Sequence, residues 1–215
     1  MAEDMPQGLH IGAYLPRGDA RDVLITKHGE TLEGLRPGAV VGTDSARRQI
    51  QMKALRPDVL MQSLRGNVPK RLEKLATEAY DAVILASAGL KRLGLEEKIT
   101  WYFTIEEITP APGQGTLAVQ ARTVDDALDE LLTRINDVDA AHISRIERSF
   151  SAAVGGGCKS PTGAYAARDG DECIFTAMIV AEDGRIIPNT VRSPWKSSDS
   201  LGKTLANTLL AARGV

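Results

Sequence analysis

The sequence predicts an α/β domain with a largely parallel, helix-covered sheet, followed by a smaller α+β unit. Three observations carry this. Between Val23 and Leu93, short apolar runs alternate with helical stretches, the order that builds parallel sheets. The segment Thr109–Gly115, TPAPGQG, is dense in Pro and Gly and reads as a hinge or loop. From Gly163 to Arg192 short strand candidates are split by Arg168-Asp169-Gly170-Asp171 and Asp183-Gly184, the turn signals of antiparallel meanders.

Each element follows from local sequence. Gly8 to Leu15 reads as a strand, and Arg17-Gly18-Asp19 as a turn. Val23–Thr26 and Gly38–Gly42 are strands, the second running into Thr43-Asp44-Ser45, residues that cap helix N-termini. A helix over Ala46–Leu55 is stopped by Pro57. Val59–Leu64 returns to strand, Gly66-Asn67 turns, and Lys70–Ala79 is helical. Tyr80–Ala86 is a buried strand and Ala88–Leu93 a short helix. Beyond the hinge, Thr116–Ala121 is a strand, while Val124–Asn136, Ala140–Val154 and Leu201–Ala212 are helices.

Bulk properties exclude several classes. A chain of 215 residues with 43% hydrophobic and 25% charged content is globular, not disordered. A net charge of −2 argues against general nucleic-acid binding. Two cysteines are too few for a disulfide framework. There is no basic n-region followed by an apolar stretch, and no apolar run approaches the roughly 18 residues that span a bilayer. A cytoplasmic protein without membrane or nucleic-acid partners is expected.

Two constellations point to chemistry. From Arg47 to Arg71 the chain carries Arg47, Arg48, Lys53, Arg56, Arg65, Lys70 and Arg71 against Asp58 alone. Arg47 and Arg48 occupy the first turn of a helix, the wrong end for cations unless an anion sits there. Arg65 follows a strand and Arg71 opens a helix, so these side chains can converge at the carboxyl edge of the sheet. Guanidinium binds carboxylate bidentately, so a small polycarboxylate ligand is expected. The alternative is a solvated basic face, to which Lys53 and Arg56 are assigned. The second constellation is Gly155-Gly156-Gly157-Cys158-Lys159, a loop that leaves the sulfur open to approach beside a lysine that favours thiolate. Packing is the alternative for Cys158. Cys173, flanked by Ile174 and Phe175, is expected to pack. The histidines His10, His28 and His142 show no metal-ligand spacing, so no metal is expected, and His142 is placed on a helix face without a role.

The blocks GTDSARRQ (Gly42–Gln49), SLRGNVPKR (Ser63–Arg71), YDAVILASAGLKRLG (Tyr80–Gly94), APGQG (Ala111–Gly115) and GGGCKSPTGAY (Gly155–Tyr165) together resemble hydroxymethylbilane synthase, or porphobilinogen deaminase. The resemblance implies a type II periplasmic-binding-protein-like domain and a small α+β C-terminal domain, with only a remnant of the family's first domain. The remnant would comprise residues 1–15 and 116–133, the second domain 21–109, and the C-terminal domain 138–215. It implies a dipyrromethane cofactor on Cys158, its carboxylates held by Ser45, Arg47, Arg48 and Arg71. Arg65 and Arg92 would bind porphobilinogen or the growing chain, four units being deaminated and joined head to tail. A monomer is implied for the full-length protein. The family's HSxKDxP motif, whose aspartate is the principal catalytic acid, would fall before Met1. The chain is therefore expected to be a fragment with little deaminase activity by itself. The residues depart from the family's pattern at Gly155, where an acidic residue is common, and at Asp44, where a serine is common. Rival readings are a non-catalytic polypyrrole-binding descendant and a periplasmic-type anion receptor.

Overall fold

The computed structural model describes residues 5–155 and 161–213. Along the chain the elements are β1 (Leu9–Tyr14), β2 (Asp22–Thr26), β3 (Val40–Gly42), α1 (Ala46–Leu55), β4 (Leu60–Gln62), α2 (Val68–Thr77), β5 (Ala82–Ala86), α3 (Ser87–Arg92) and β6 (Trp101–Tyr102). They continue with β7 (Ala118–Arg122), α4 (Asp126–Thr133), α5 (Val138–Ala153), β8 (Gly163–Asp169), β9 (Glu172–Val180), β10 (Ile186–Pro194) and α6 (Leu201–Arg213). Contacts divide the chain into two compact units: Asp19–Pro110 forms one, and the segment up to Gly18 with most of the chain from Ala111 onward forms the other.

The Asp19–Pro110 unit is a five-stranded sheet in the order β4-β3-β5-β2-β6. Every residue of β2 is buried, as befits a central strand reading Asp-Val-Leu-Ile-Thr. Alternate side chains of β2 and β5 feed two cores. Leu24 and Ile84 meet Met52 of α1 on one face. Val23, Ile25, Val83 and Leu85 meet Leu75 of α2 and Leu90 of α3 on the other. The largely parallel sheet expected from the sequence is present with one strand reversed. β3 runs parallel to β4 and β5, but β2 is antiparallel to both β5 and β6. A strand buried on both faces has the same apolar pattern in either direction, so the pattern could not choose. The reversal delivers Asp22, the first residue of β2, opposite Ala86, the last of β5. An acid is thereby placed at the carboxyl edge of the parallel strands, where the following helices begin.

The helices of this unit start where their sequences cap them. Ser45 precedes α1 in extended backbone, and Asn67 precedes α2 with its Oδ1 accepting from Lys70 N at 3.0 Å. Pro69 sits in the first turn of α2, where its missing N–H costs nothing. Gly66 allows the turn before α2 at φ +127°, a conformation other residues rarely adopt.

In the other unit, β8, β9 and β10 form an antiparallel meander in the order β10-β9-β8. Its core joins Ile143, Ile146 and Phe150 of α5 and Leu205 and Leu209 of α6 to Phe175 and Ala177 of β9. The two helices cross so closely that a Cβ on Gly202 would stand 2.1 Å from the Ile146 carbonyl oxygen. β1 and β7 pair antiparallel beneath α4, and Tyr14 and Ile11 pack on Ala140 and Ala141 of α5. α4 and its flanks leave Leu131, Ile135 and Val138 exposed.

A second buried acid organises this unit. Glu147 of α5 accepts from Arg17 Nη1 at 2.7 Å, Gly113 N at 2.6 Å and Ala166 N at 2.8 Å. Burial pushes its carboxyl above the ordinary range, and the Arg17 charge and the two backbone N–H groups pull it back. Arg17 Nε also donates to the Gln114 carbonyl at 3.0 Å, and Gly18 N to the Gly115 carbonyl at 3.1 Å. Arg17-Gly18-Asp19 is therefore more than a turn: Arg17 and Gly18 are tied to the APGQG segment.

Candidate anion-binding site

The two arginines of the first turn of α1 are buried, 4% and 8% exposed, and the anion they face comes from the protein itself. Arg47 Nη1 donates to Asp22 Oδ2 and to the Thr109 carbonyl, both at 2.6 Å. Arg48 donates to Asp22 Oδ1 from Nε at 2.9 Å and from Nη2 at 2.7 Å, and from Nη1 to the Ile84 carbonyl at 3.3 Å. Gln51, one turn on, exchanges hydrogen bonds with the backbone of Thr109 at 2.8 and 3.2 Å and so fixes that carbonyl. Burial would raise the Asp22 carboxyl, but the charges of Arg47 and then Arg48 outweigh it and hold it below the carboxylate range. Two buried guanidinium groups thus share one carboxylate. They lie at a helix N-terminus, which also favours anions.

Ser45 caps this helix, its Oγ accepting from Arg48 N at a long 3.5 Å. Arg71, half-buried in the first turn of α2, donates from Nε to the Gly66 carbonyl at 2.8 Å. Burial and the nearby charge of Arg48 lower its affinity for its proton, and Asp44 opposes them. Arg71 therefore belongs to the same field as Arg48. Arg65 follows β4 with its side chain 82% exposed, and its Nε lies 3.1 Å from Asp44 Oδ2. Arg92 is in the last turn of α3, exposed and well placed against that helix's dipole. Cys158 lies outside the described residues.

Several residues carry more than the sequence suggested. Asp44 does not cap α1. Its Oδ1 accepts from Ser63 Oγ at 2.6 Å and its other oxygen pairs with Arg65. Asp19 binds Arg21 at 2.8 Å and Lys91 at 3.3 Å, and these contacts overcome burial to hold its carboxyl far below the usual range. Arg56 ties the Leu32 and Leu35 carbonyls, and Lys53 those of Pro57 and Val59, so these two act on loops rather than as a solvated face. His142 is buried, bonded through Nε2 to Ser198 Oγ at 2.7 Å and set edge-on to Trp195 at 4.5 Å. Cys173 is buried, and burial pushes its thiol up, away from thiolate. The charged partners Asp22, Glu147 and Arg17 escaped sequence reading. The one available signal was an aspartate opening an otherwise apolar strand, since a buried acid demands a cation.

Known proteins match this chain over nearly its whole length. A family model described as "Porphobilinogen deaminase, dipyromethane cofactor binding domain" matches residues 1–130. A second, "Porphobilinogen deaminase, C-terminal domain", matches residues 141–211. The chain is 44% identical to a porphobilinogen deaminase from Alkaliphilus metalliredigens over 211 residues, 98% of this chain and 67% of that protein. It is also 44% identical to one from Roseiflexus castenholzii, over 98% of this chain and 69% of that protein. Among solved structures, a YaeC-family lipoprotein from Enterococcus faecalis aligns over 66% of this chain and 68% of its own, at 13% identity and a TM-score of 0.40.

Proposed function

Because the chain belongs to the porphobilinogen deaminase family, transferases of tetrapyrrole biosynthesis that polymerise porphobilinogen, we propose that it supplies the cofactor-bearing and anion-binding share of hydroxymethylbilane synthesis. The family's cofactor is a dipyrromethane, and the matching region is its cofactor-binding domain. In this reading Cys158 Sγ is the covalent anchor. Bound there, the dipyrromethane supplies a free pyrrole carbon onto which four porphobilinogen units are joined head to tail with loss of ammonia.

The observation that carries the reading is the gathering of Arg47, Arg48 and Arg71 at the starts of α1 and α2. Pyrrole acetates and propionates are small carboxylates, and the described residues fit them: two guanidinium groups share one buried acid, with Arg71 in their field. Asp22 holds Arg47 and Arg48 at fixed angles, so the positive end of α1 is ordered before a carboxylate arrives. Ser45 adds a hydroxyl at the same helix end. These residues take the cofactor carboxylates, while Arg65 and Arg92, both exposed, take those of incoming porphobilinogen or the lengthening chain. Among the described residues no helix is long and apolar enough to cross a membrane, and we place the protein in the cytoplasm.

Intact mass of the purified chain, produced in cells that make porphobilinogen, tests the anchor. A dipyrromethane adduct is expected on the wild type and on Cys173→Ser, and none on Cys158→Ser. An adduct that survives Cys158→Ser overturns the assignment.

A further inference from the structure

We propose that Asp44 is a built-in competitor carboxylate: it occupies Arg65 when no ligand is bound, and a ligand carboxylate must displace it. This deepens the function proposed above and rests on its reading of the arginines as an anion site. The geometry is that of a ligand contact made by the protein with itself. Asp44 immediately precedes the cap residue Ser45, and its two oxygens divide between Ser63 Oγ at 2.6 Å and Arg65 Nε at 3.1 Å. Both partners come from the segment that follows β4, so the carboxylate bridges from the start of α1 to the loop that carries Arg65.

Exposure decides that the bridge is exchangeable. The side chains of Asp44 and Arg65 are 38% and 82% exposed, so water already competes for every donor and acceptor in the pair. Such pairs are weak and screened by salt. Arg65 presents a fork of five N–H donors, and a ligand carboxylate can take it bidentately in place of the contact Asp44 makes at Nε. Asp44 also acts on Arg71, opposing the loss of its proton. One residue therefore discounts two members of the cluster. Hydrogen bonding from Ser63, with the charges of Arg65 and Arg71, keeps Asp44 ionised, so the competitor stays charged at neutral pH.

The chemical consequence is selectivity by charge number. A monocarboxylate that displaces Asp44 exchanges one ion pair for another and gains little. A molecule with several carboxylates can engage Arg65, Arg71 and the deeper arginines together, and it loses the same single pair.

Calorimetric titration of the full chain with tricarballylate and with propionate tests this without requiring turnover. Asp44→Asn and Asp44→Ser are expected to bind both probes about two- to fivefold more tightly than the wild type at low salt. The gain should shrink in added sodium chloride and should fall to the smaller share that acts through Arg71 when Arg65→Met is combined with either substitution. Tricarballylate binding that Arg65→Met weakens but both Asp44 substitutions leave unchanged would overturn the competitor role and spare the anion site. Wild-type and Asp44-substituted chains that all fail to bind tricarballylate would overturn both readings.

Discussion

Two aspartates of this protein face arginines near the N-terminus of the same helix, one in the interior and one in water. Asp22 is fully buried and answered by Arg47 and Arg48 through hydrogen bonds of 2.6–2.9 Å. Asp44 is exposed and answered by Arg65 and Ser63. The chemistry is the same and the consequences are opposite. Out of water, an ion pair cannot lose one member without stranding the other, so Asp22 holds the fold. In water each member has a substitute partner, so Asp44 can be exchanged.

The widest gap between them should appear on neutralising each acid. Asp22→Asn strands two buried guanidinium groups and is expected to cost about 3–5 kcal/mol, read as a lower denaturant midpoint. A loss below ~1 kcal/mol would break the contrast. Acid titration comes next. The Asp22 carboxyl is depressed in the folded state, so its stabilising contribution is complete above the unfolded aspartate value near ~3.9 and is lost as pH falls through the folded value. Wild-type stability should fall below that pH by at most ~1.4 kcal/mol per unit for this group, and Asp22→Asn should flatten the profile. Helix capping supplies a smaller test. Ser45→Ala removes a long bond and is expected to cost roughly 0.5 kcal/mol, whereas Asn67→Ala removes a 3.0 Å bond and should cost about 1 kcal/mol in thermal melts. Smallest of all, Asp44→Asn should leave the melting midpoint where it was. A clear drop would make Asp44 structural, not exchangeable.

Local features of the fold were legible in the sequence. α1 runs over Ala46–Leu55 as expected, because Ser45 offers a cap and Pro57 forbids continuation. β8, β9 and β10 follow from Gly170 and Gly184, which supply the positive φ their turns need. Non-local features were not legible. β6 is two residues long and carries no period. The direction of β2 depends on its neighbours, not on its own residues. The site shows the same division. Arg47 and Arg48 announced themselves by charges at the unfavourable end of a helix, a signal that pointed to a ligand anion. It could not say that the first anion lies 25 residues earlier on another strand. Glu147 looked like any acid on an amphipathic helix, since its partners at Arg17 and Gly113 are 130 and 34 residues away.

That glutamate has a consequence for how the chain can be rearranged. Arg17 and Gly113 lie just before and just after the stretch Asp19–Pro110, and Glu147 grips both. The Gly18–Gly115 backbone bond closes the same gap. The stretch Asp19–Pro110 is thus an excursion whose flanking residues are clasped together. A long excursion closed at its base costs only logarithmically more entropy than a short one, so its length hardly burdens the rest. Modules with adjoining ends are also the ones that tolerate transplantation and permutation. Replacing Asp19–Pro110 by a short glycine-serine bridge would shorten the polypeptide greatly while keeping both residues that Glu147 grips.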